Sequence, residues 1–352
     1  MKKSVMRKLL VFALLALMAA TFTGCAKRDD GALVVLNYGK YIEPEVLKAF
    51  QKETGIKVKY EEYESVEDMY AKYSAGSIDY DLICTSDYMI QTLNREGQLI
   101  PIDFNSLSNM DNMDQRIVEQ SAVFDPTHEY SLPYFYGTVG IMYNTEKVDE
   151  EVNSWDILWD EKYKNDIIMI NSQRDAFLTA TMKLGYDINT TDREQLDKTL
   201  ELMKSQKDVT YAYLLDETNE AMIAEDAALA VCYSGEAATA MDYNENLDYA
   251  VPEEGSNLWI DSWVVPRTCK HYDEAMIFLD YLMEADNAID NFNYVWYASP
   301  CLSVWEDADE EDLEDVTIFP TEEILERCSV YEAYDDDTLD YTTNLWKQLK
   351  SH

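Results

Sequence analysis

Leu33-Val34-Val35-Leu36-Asn37-Tyr38 decides the fold: an apolar run of strand length that closes on a polar and an aromatic residue. Pro44 then stands where the first turn of a helix tolerates a missing N–H, Val46, Leu47 and Phe50 share a face, and Gly55 supplies a stop. Ile56, Val58 and Tyr60 alternate with lysines as a second strand. A buried strand, an amphipathic helix and another strand make the opening unit of a parallel sheet.

Working outward, further strands are expected at Tyr80–Thr85, Gly140–Asn144, Ile167–Ile170, Ala228–Tyr233 and Trp259–Val265, with amphipathic helices between them. Ser65-Val66-Glu67-Asp68 before Met69, Tyr70 and Tyr73 reads as a helix start, with Asp in place of the Glu or Gln that completes a capping box. No repeat and no long linker interrupts the pattern. The acidic stretches Glu306 to Glu314 and Asp335 to Asp337 read as exposed loops. The whole fits an α/β protein of two lobes that exchange strands through a hinge. Ligands in such folds sit at the carboxyl ends of strands.

The amino terminus carries Lys2, Lys3, Arg7 and Lys8, an apolar run from Leu9 to Ala20, then Phe22-Thr23-Gly24-Cys25. This is the order of a secretory signal peptide, and the run falls short of the roughly 20 residues that span a bilayer. Gly24-Cys25 resembles the lipobox of bacterial lipoproteins, although Phe22 replaces the usual Leu. Residues 1–24 are read as the signal and 25–32 as a tether, with Cys25 the lipidated mature terminus; a plain signal peptide with an incidental Cys is the other reading. Acyl chains would hold the soluble body at a membrane surface.

Composition narrows the partners. Without the four basic residues of the leader, 24 basic residues face 69 acidic ones, a balance of −45. That argues against a nucleic-acid ligand, whose binding rests on cations matched to phosphates. An acidic surface favours the approach of a cation, and it also serves as a solvated face. Beyond Cys25, five cysteines remain: Cys84, Cys232, Cys269, Cys301 and Cys328. An odd number with no framework or zinc spacing reads as mostly buried small apolar residues.

Several strand ends carry similar side chains: Tyr38 and Tyr41, Ser86 and Tyr88, Tyr233, and Trp259 with Asp261. An ammonium over an aromatic face is stabilised by about 0.5 to 2 kcal/mol. Methylene stretches pack on flat rings, and carboxylates add charge-assisted hydrogen bonds to amines. Tyr and Trp walls with two or three carboxylates therefore suit an aliphatic polyamine, although 26 tyrosines place some at strand ends by chance.

A set of ordered segments resembles the spermidine/putrescine-binding proteins of bacterial ABC importers. They include Leu36-Asn37-Tyr38 with Tyr41, Glu53-Thr54-Gly55-Ile56-Lys57-Val58, Tyr80-Asp81-Leu82-Ile83 with Ser86, Tyr130-Ser131-Leu132-Pro133-Tyr134, Ser154-Trp155 with Leu158-Trp159, Lys183-Leu184-Gly185-Tyr186, and Trp259-Ile260-Asp261-Ser262. The resemblance implies a type II periplasmic-binding-protein fold with mixed sheets flanked by helices, which closes on a polyamine in the interlobe cleft and presents it to an ABC permease. It implies Asp261 as the carboxylate for a central amine, with Trp259 as a wall. Tyr38, Tyr41, Ser86 and Tyr88 match first-lobe contacts, Tyr233 stands where Trp is common, and Tyr297 is a further aromatic contact. Of the family's acidic pair, Asp175 is kept and the other position is Ser172, a loss that Glu332 would offset by entering the cleft. These departures leave the choice among polyamines open.

By the same resemblance, lobe one holds 33–137 plus 262–305, and lobe two holds 138–261 plus 306–352. No cofactor or metal is expected, and the chain is read as a monomer anchored at the outer cell surface or in the periplasm. Three rivals stand beside this reading: ferric iron held by tyrosinates in the same fold, a surface sensor of polyamine, and an enzyme. For the last, His128, His271 and His352 offer little, and Cys84 and Cys232 look buried.

Overall fold

The computed structural model describes residues 31–215, 217–308 and 313–352. The signal segment, the Cys25 lipidation position and the centre of the first acidic stretch lie outside the described residues. The strands are β1 (Leu33–Tyr38), β2 (Val58–Tyr63), β3 (Leu82–Thr85), β4 (Leu99–Ile100), β5 (Ser131–Asn144), β6 (Ile167–Ile170), β7 (Ala212–Leu214), β8 (Leu229–Tyr233), β9 (Leu247–Ala250) and β10 (Leu258–Pro266). Helices of nine residues or more are α1 (Pro44–Thr54), α2 (Val66–Ser74), α3 (Asp87–Arg95), α4 (Gln173–Lys183), α5 (Arg193–Lys207), α6 (Ser234–Tyr243), α7 (Tyr272–Leu282), α8 (Ala285–Val295) and α9 (Asp336–Ser351).

The opening unit forms as its pattern predicts. β1 pairs in parallel with β2, Leu33 opposite Val58 and Tyr38 opposite Tyr63, and with β3 on its other side. α1 starts at Pro44, ends before Gly55 and buries Val46 and Phe50. Phe50 meets Phe278 of α7 edge to face, with ring centres 5.0 Å apart. Burying such a side chain contributes on the order of 1.5–3 kcal/mol.

The strands lie in the order β2-β1-β3-β10-β5-β8-β6-β7, with β4 against β10 and β9 against β5. β10 runs antiparallel to both β3 and β5, so the sheet is mixed. β5 changes partners halfway along its 14 residues. Ser131 to Thr138 pair with β10, and Val139 to Asn144 pair with β8 and β9. The β10–β5 register also slips between Asp261 and Ser262.

Three expectations need correction. The strand expected at Gly140–Asn144 is the second half of a longer one beginning at Ser131. Pro133 and Gly137 weaken the strand signal there, and pairing with β10 across the slip overrides it. The strand expected from Tyr80 begins at Leu82; the Asp81 amide still donates to the Val34 carbonyl at 2.8 Å, and its carboxylate accepts from the amides of Val34 and Lys270 at 2.8 and 2.7 Å, tying the strand's start to β1 and to the turn after β10. The acidic run Asp335 to Asp337 opens α9 instead of forming a loop. Asp335 accepts from the Thr338 amide at 2.8 Å, and the two following acids favour the positive end of the helix dipole.

Cys84, Cys232 and Cys301 are buried, Cys269 and Cys328 are half-buried, and all five thiols are unpaired. Among the described residues, no helix is long and apolar enough to cross a membrane.

Candidate functional site

Asp261 lies on β10 one residue before the slipped register and is only 8% exposed. Two phenols reach it. Tyr38, the last residue of β1, donates to Oδ1 at 3.2 Å, and Tyr41, in the turn that follows, donates to Oδ2 at 2.8 Å. Burial, and next the charge of Asp261, push both phenols well above their ordinary range, so they remain donors. Burial raises Asp261 itself to about 6, against the pull of the two hydrogen bonds. An ionised carboxylate has about four lone-pair sites, and these bonds use two of them.

Asp175 stands in the first turn of α4 and is 5% exposed. Its Oδ2 accepts from Ser172 Oγ at 2.6 Å and Tyr233 Oη at 2.7 Å, and its Oδ1 accepts from Tyr331 Oη at 3.1 Å. With three donors in place it has less capacity left than Asp261. Beside it, the Arg174 guanidinium stacks on Tyr331 at 3.9 Å and Tyr334 at 4.2 Å and lies 5.8 Å from the Tyr88 ring. Arg174 also donates to the Glu332 carbonyl at 2.7 Å and to Asn189 Oδ1 at 2.9 Å.

A row of rings links the two acids. Centre-to-centre distances are 5.1 Å from Tyr38 to Tyr41, 5.8 Å on to Tyr297, 5.1 Å to Trp259 and 6.2 Å to Tyr233. Interplanar angles of 64–84° make every contact edge to face, the arrangement that aromatic quadrupoles favour. Two glycines let the rings settle. A Cβ on Gly137 would fall 2.4 Å from the Trp259 ring, and one on Gly235, in the first turn of α6, would fall 1.7 Å from Tyr297. Chemically, this is two buried acids joined by an apolar aromatic wall, suited to a cation with an aliphatic body.

A family model described as bacterial extracellular solute-binding protein matches residues 45–320. The chain belongs to the bacterial extracellular solute-binding proteins. It is 31% identical over 320 residues to a spermidine/putrescine-binding periplasmic protein of Salmonella typhimurium, covering 87% of this chain and 91% of that one. Among solved structures, it is similar to the spermidine/putrescine ABC transporter substrate-binding protein PotD of Streptococcus pneumoniae. That match has 38% identity and a TM-score of 0.83, and it covers 91% of this chain and 98% of the other. A putative spermidine/putrescine ABC transporter protein from Listeria monocytogenes matches at 35% identity and a TM-score of 0.83, over 91% and 99% of the two chains. The periplasmic-binding-protein fold, α/β with a mixed sheet flanked by helices, follows from these likenesses and from the strand order.

In this solute-binding protein, the residues singled out by sequence do not all meet. Tyr38, Tyr41, Asp261, Trp259, Tyr297, Tyr233, Asp175 and Ser172 form one connected set through the contacts above. Tyr88 joins it through Arg174. Ser86 is 8% exposed at the start of α3, and its hydroxyl is buried without a hydrogen-bond partner. Glu332 is exposed, and its amide donates to Asn189 Oδ1 at 2.8 Å. The neighbouring Tyr331 is the side chain that meets Asp175. Sequence reasoning missed Tyr331, Tyr334 and Arg174. The run Tyr331-Glu332-Ala333-Tyr334 gave a signal in its aromatic spacing, but the acid drew the assignment.

Proposed function

We propose that this solute-binding protein captures a polyamine, spermidine or putrescine, and delivers it to an ABC import permease from a lipid anchor at Cys25. The observation that carries the reading is the pair Asp261 and Asp175, both buried and joined by the ring row Tyr38, Tyr41, Tyr297, Trp259 and Tyr233. An ammonium at each acid and methylenes along the rings satisfy all of these groups together. The names of the similar proteins from Salmonella and Streptococcus support the ligand class and the transporter partner.

The lobes of the reading are 33–137 plus 262–305 and 138–261 plus 306–352. The change of partners along β5 and the slip at Asp261 support a hinge at those two crossings. Tyr38 and Tyr41 belong to one lobe and Asp261, Asp175 and Tyr233 to the other, so a ligand held between the two tyrosines and the two acids stabilises the closed form.

The test is calorimetric titration with putrescine, cadaverine, spermidine and spermine at physiological salt. Saturable one-to-one binding of one of them in the micromolar range or tighter supports the reading. Absence of heat with all four sinks it. Radiolabelled palmitate incorporation that disappears in Cys25→Ala tests the anchor separately, and co-purification of a permease tests delivery.

A further inference from the structure

Where β3 passes into α3, the chain reads Thr85-Ser86-Asp87-Tyr88. Thr85 Oγ1, Ser86 Oγ and Asp87 Oδ2 are all buried without a hydrogen-bond partner. So is Ser262 Oγ, which stands opposite Thr85 in the β3–β10 pairing, and so is Trp259 Nε1 further along β10. Buried polar groups in folded proteins are nearly all paired. Thr85, Ser86, Asp87 and Ser262 lie together where β3 meets β10, and the partners of these four groups, water or ligand, come from outside the chain.

Asp87 is the acidic member of the group. It is 1% exposed; Oδ1 accepts from the Tyr88 amide at 2.6 Å, and among the described residues Oδ2 has no partner within hydrogen-bond geometry. The β3–β10 register sets Thr85 opposite Ser262, so the chain entering α3 runs beside Ile260 and Asp261 of β10. The groups that act on the carboxyl are the Tyr88 amide and phenol of its own helix, the Asp261 carboxylate and the Ile260 amide of β10, and the Arg174 guanidinium of α4. Among the described residues no ion pair is made to Asp87, and the register of β3 on β10 brings it to the Asp261 end of the site.

We propose that Asp87 is a ligand-binding residue of this site, taking an ammonium group beside Asp261 and releasing its own proton as the cation arrives. The proposal rests on the polyamine reading and adds to it a residue and a proton. Burial is the main reason that Asp87 is raised to about 8, and the Asp261 charge raises it further. At neutral pH the Asp261 end of the empty site then holds one ionised acid, Asp261, and one neutral acid, Asp87. This division lets two carboxyls share a small buried space. When R–NH3+ enters, the Asp87 O–H bond breaks, the proton passes to solvent, and an ammonium–carboxylate pair remains. Charge balances without another reactant.

Titration of the full chain in detergent with putrescine, at about pH 7 in phosphate and in Tris, tests this. The two buffers differ widely in ionisation enthalpy, and putrescine carries both charges at that pH. Release of roughly one proton per ligand makes the two measured heats differ by that enthalpy. Asp87→Asn should bring the heats together and raise Kd at least tenfold, with its circular dichroism spectrum unchanged. If Asp87→Asn does not fold, the wild-type pair of heats still decides. Binding with equal heats in both buffers overturns the Asp87 assignment and leaves the polyamine reading standing, as does an Asp87→Asn protein with unchanged Kd and proton release. No binding of putrescine or spermidine by the wild type overturns the polyamine reading, and this inference with it.

Discussion

Tyr41 Oη donates to Asp261 Oδ2 at 2.8 Å across 220 residues of sequence, tying the turn after β1 to the middle of β10. The bond leaves lone pairs on the carboxylate and holds it in one orientation. Asp261→Asn keeps the shape and removes the charge. It should raise the Kd for the bound polyamine at least tenfold, about 1.4 kcal/mol. Calorimetry on the folded variant checks this, and an unchanged Kd would remove Asp261 from the site.

Asp261 also sets a pH dependence. Its carboxyl is raised to about 6, so below that pH it is increasingly neutral and a poor partner for an ammonium. From Asp261 alone, affinity should fall by up to about tenfold per pH unit below 6, on top of the fall that proton release from Asp87 gives below about 8. The stability of the empty protein has the opposite sign. A raised acid contributes stability that is present below its unfolded value near 3.8 and is lost as pH rises through about 6. Melting temperatures of the wild type should fall across that window more steeply than those of Asp261→Asn. Parallel curves would show that the Asp261 environment differs from the one described.

Tyr331→Phe removes one of three donors to Asp175 and leaves the ring on Arg174. A hydrogen bond to a charged group contributes about 1.5–3 kcal/mol, part of which the remaining donors recover. We expect a loss of affinity of roughly threefold to thirtyfold with little change in melting temperature. A variant equal to the wild type in affinity would mean that Asp175 plays no part in binding.

Gly235→Ala sets a methyl group where the Tyr297 ring lies. The ring must leave its place between Tyr41 and Trp259, so affinity should fall through faster dissociation. Tyr297→Ala in the same chain relieves the clash, and its pairing with Gly235→Ala should cost less than the sum of the two single changes. Strict additivity of the two would refute the contact.

The opening β1-α1-β2 unit was legible in sequence because an apolar run, a helical face and a stop follow each other without interruption. β4, β7 and β9 were not, since two to four residues give no periodicity to read. The first half of β5 was hidden by Pro133 and Gly137, and only its neighbour β10 makes it a strand. Within the site, Asp261 stood out as an acid among the strand-end residues, and Asp175 came from the resemblance to the polyamine-binding family. Tyr331 did not, because the segment between Arg327 and Asp335 has no regular structure to say which of two adjacent side chains turns inward. Asp87 carries no signal in the sequence beyond its place in the first turn of a helix, and only the unpartnered Oδ2 distinguishes it.

The shared strands β5 and β10 also govern when the chain is able to fold. β3 keeps an open edge until Ser262 to Val264 arrive beside it, and the first half of β5 waits for the same segment. More than two thirds of the polypeptide must emerge before either edge is capped. Such long-range pairing slows folding and leaves strand edges exposed during synthesis. A sheet that cannot close until residue 266 has been made favours folding late, once the whole of β10 is available, over folding as the chain emerges.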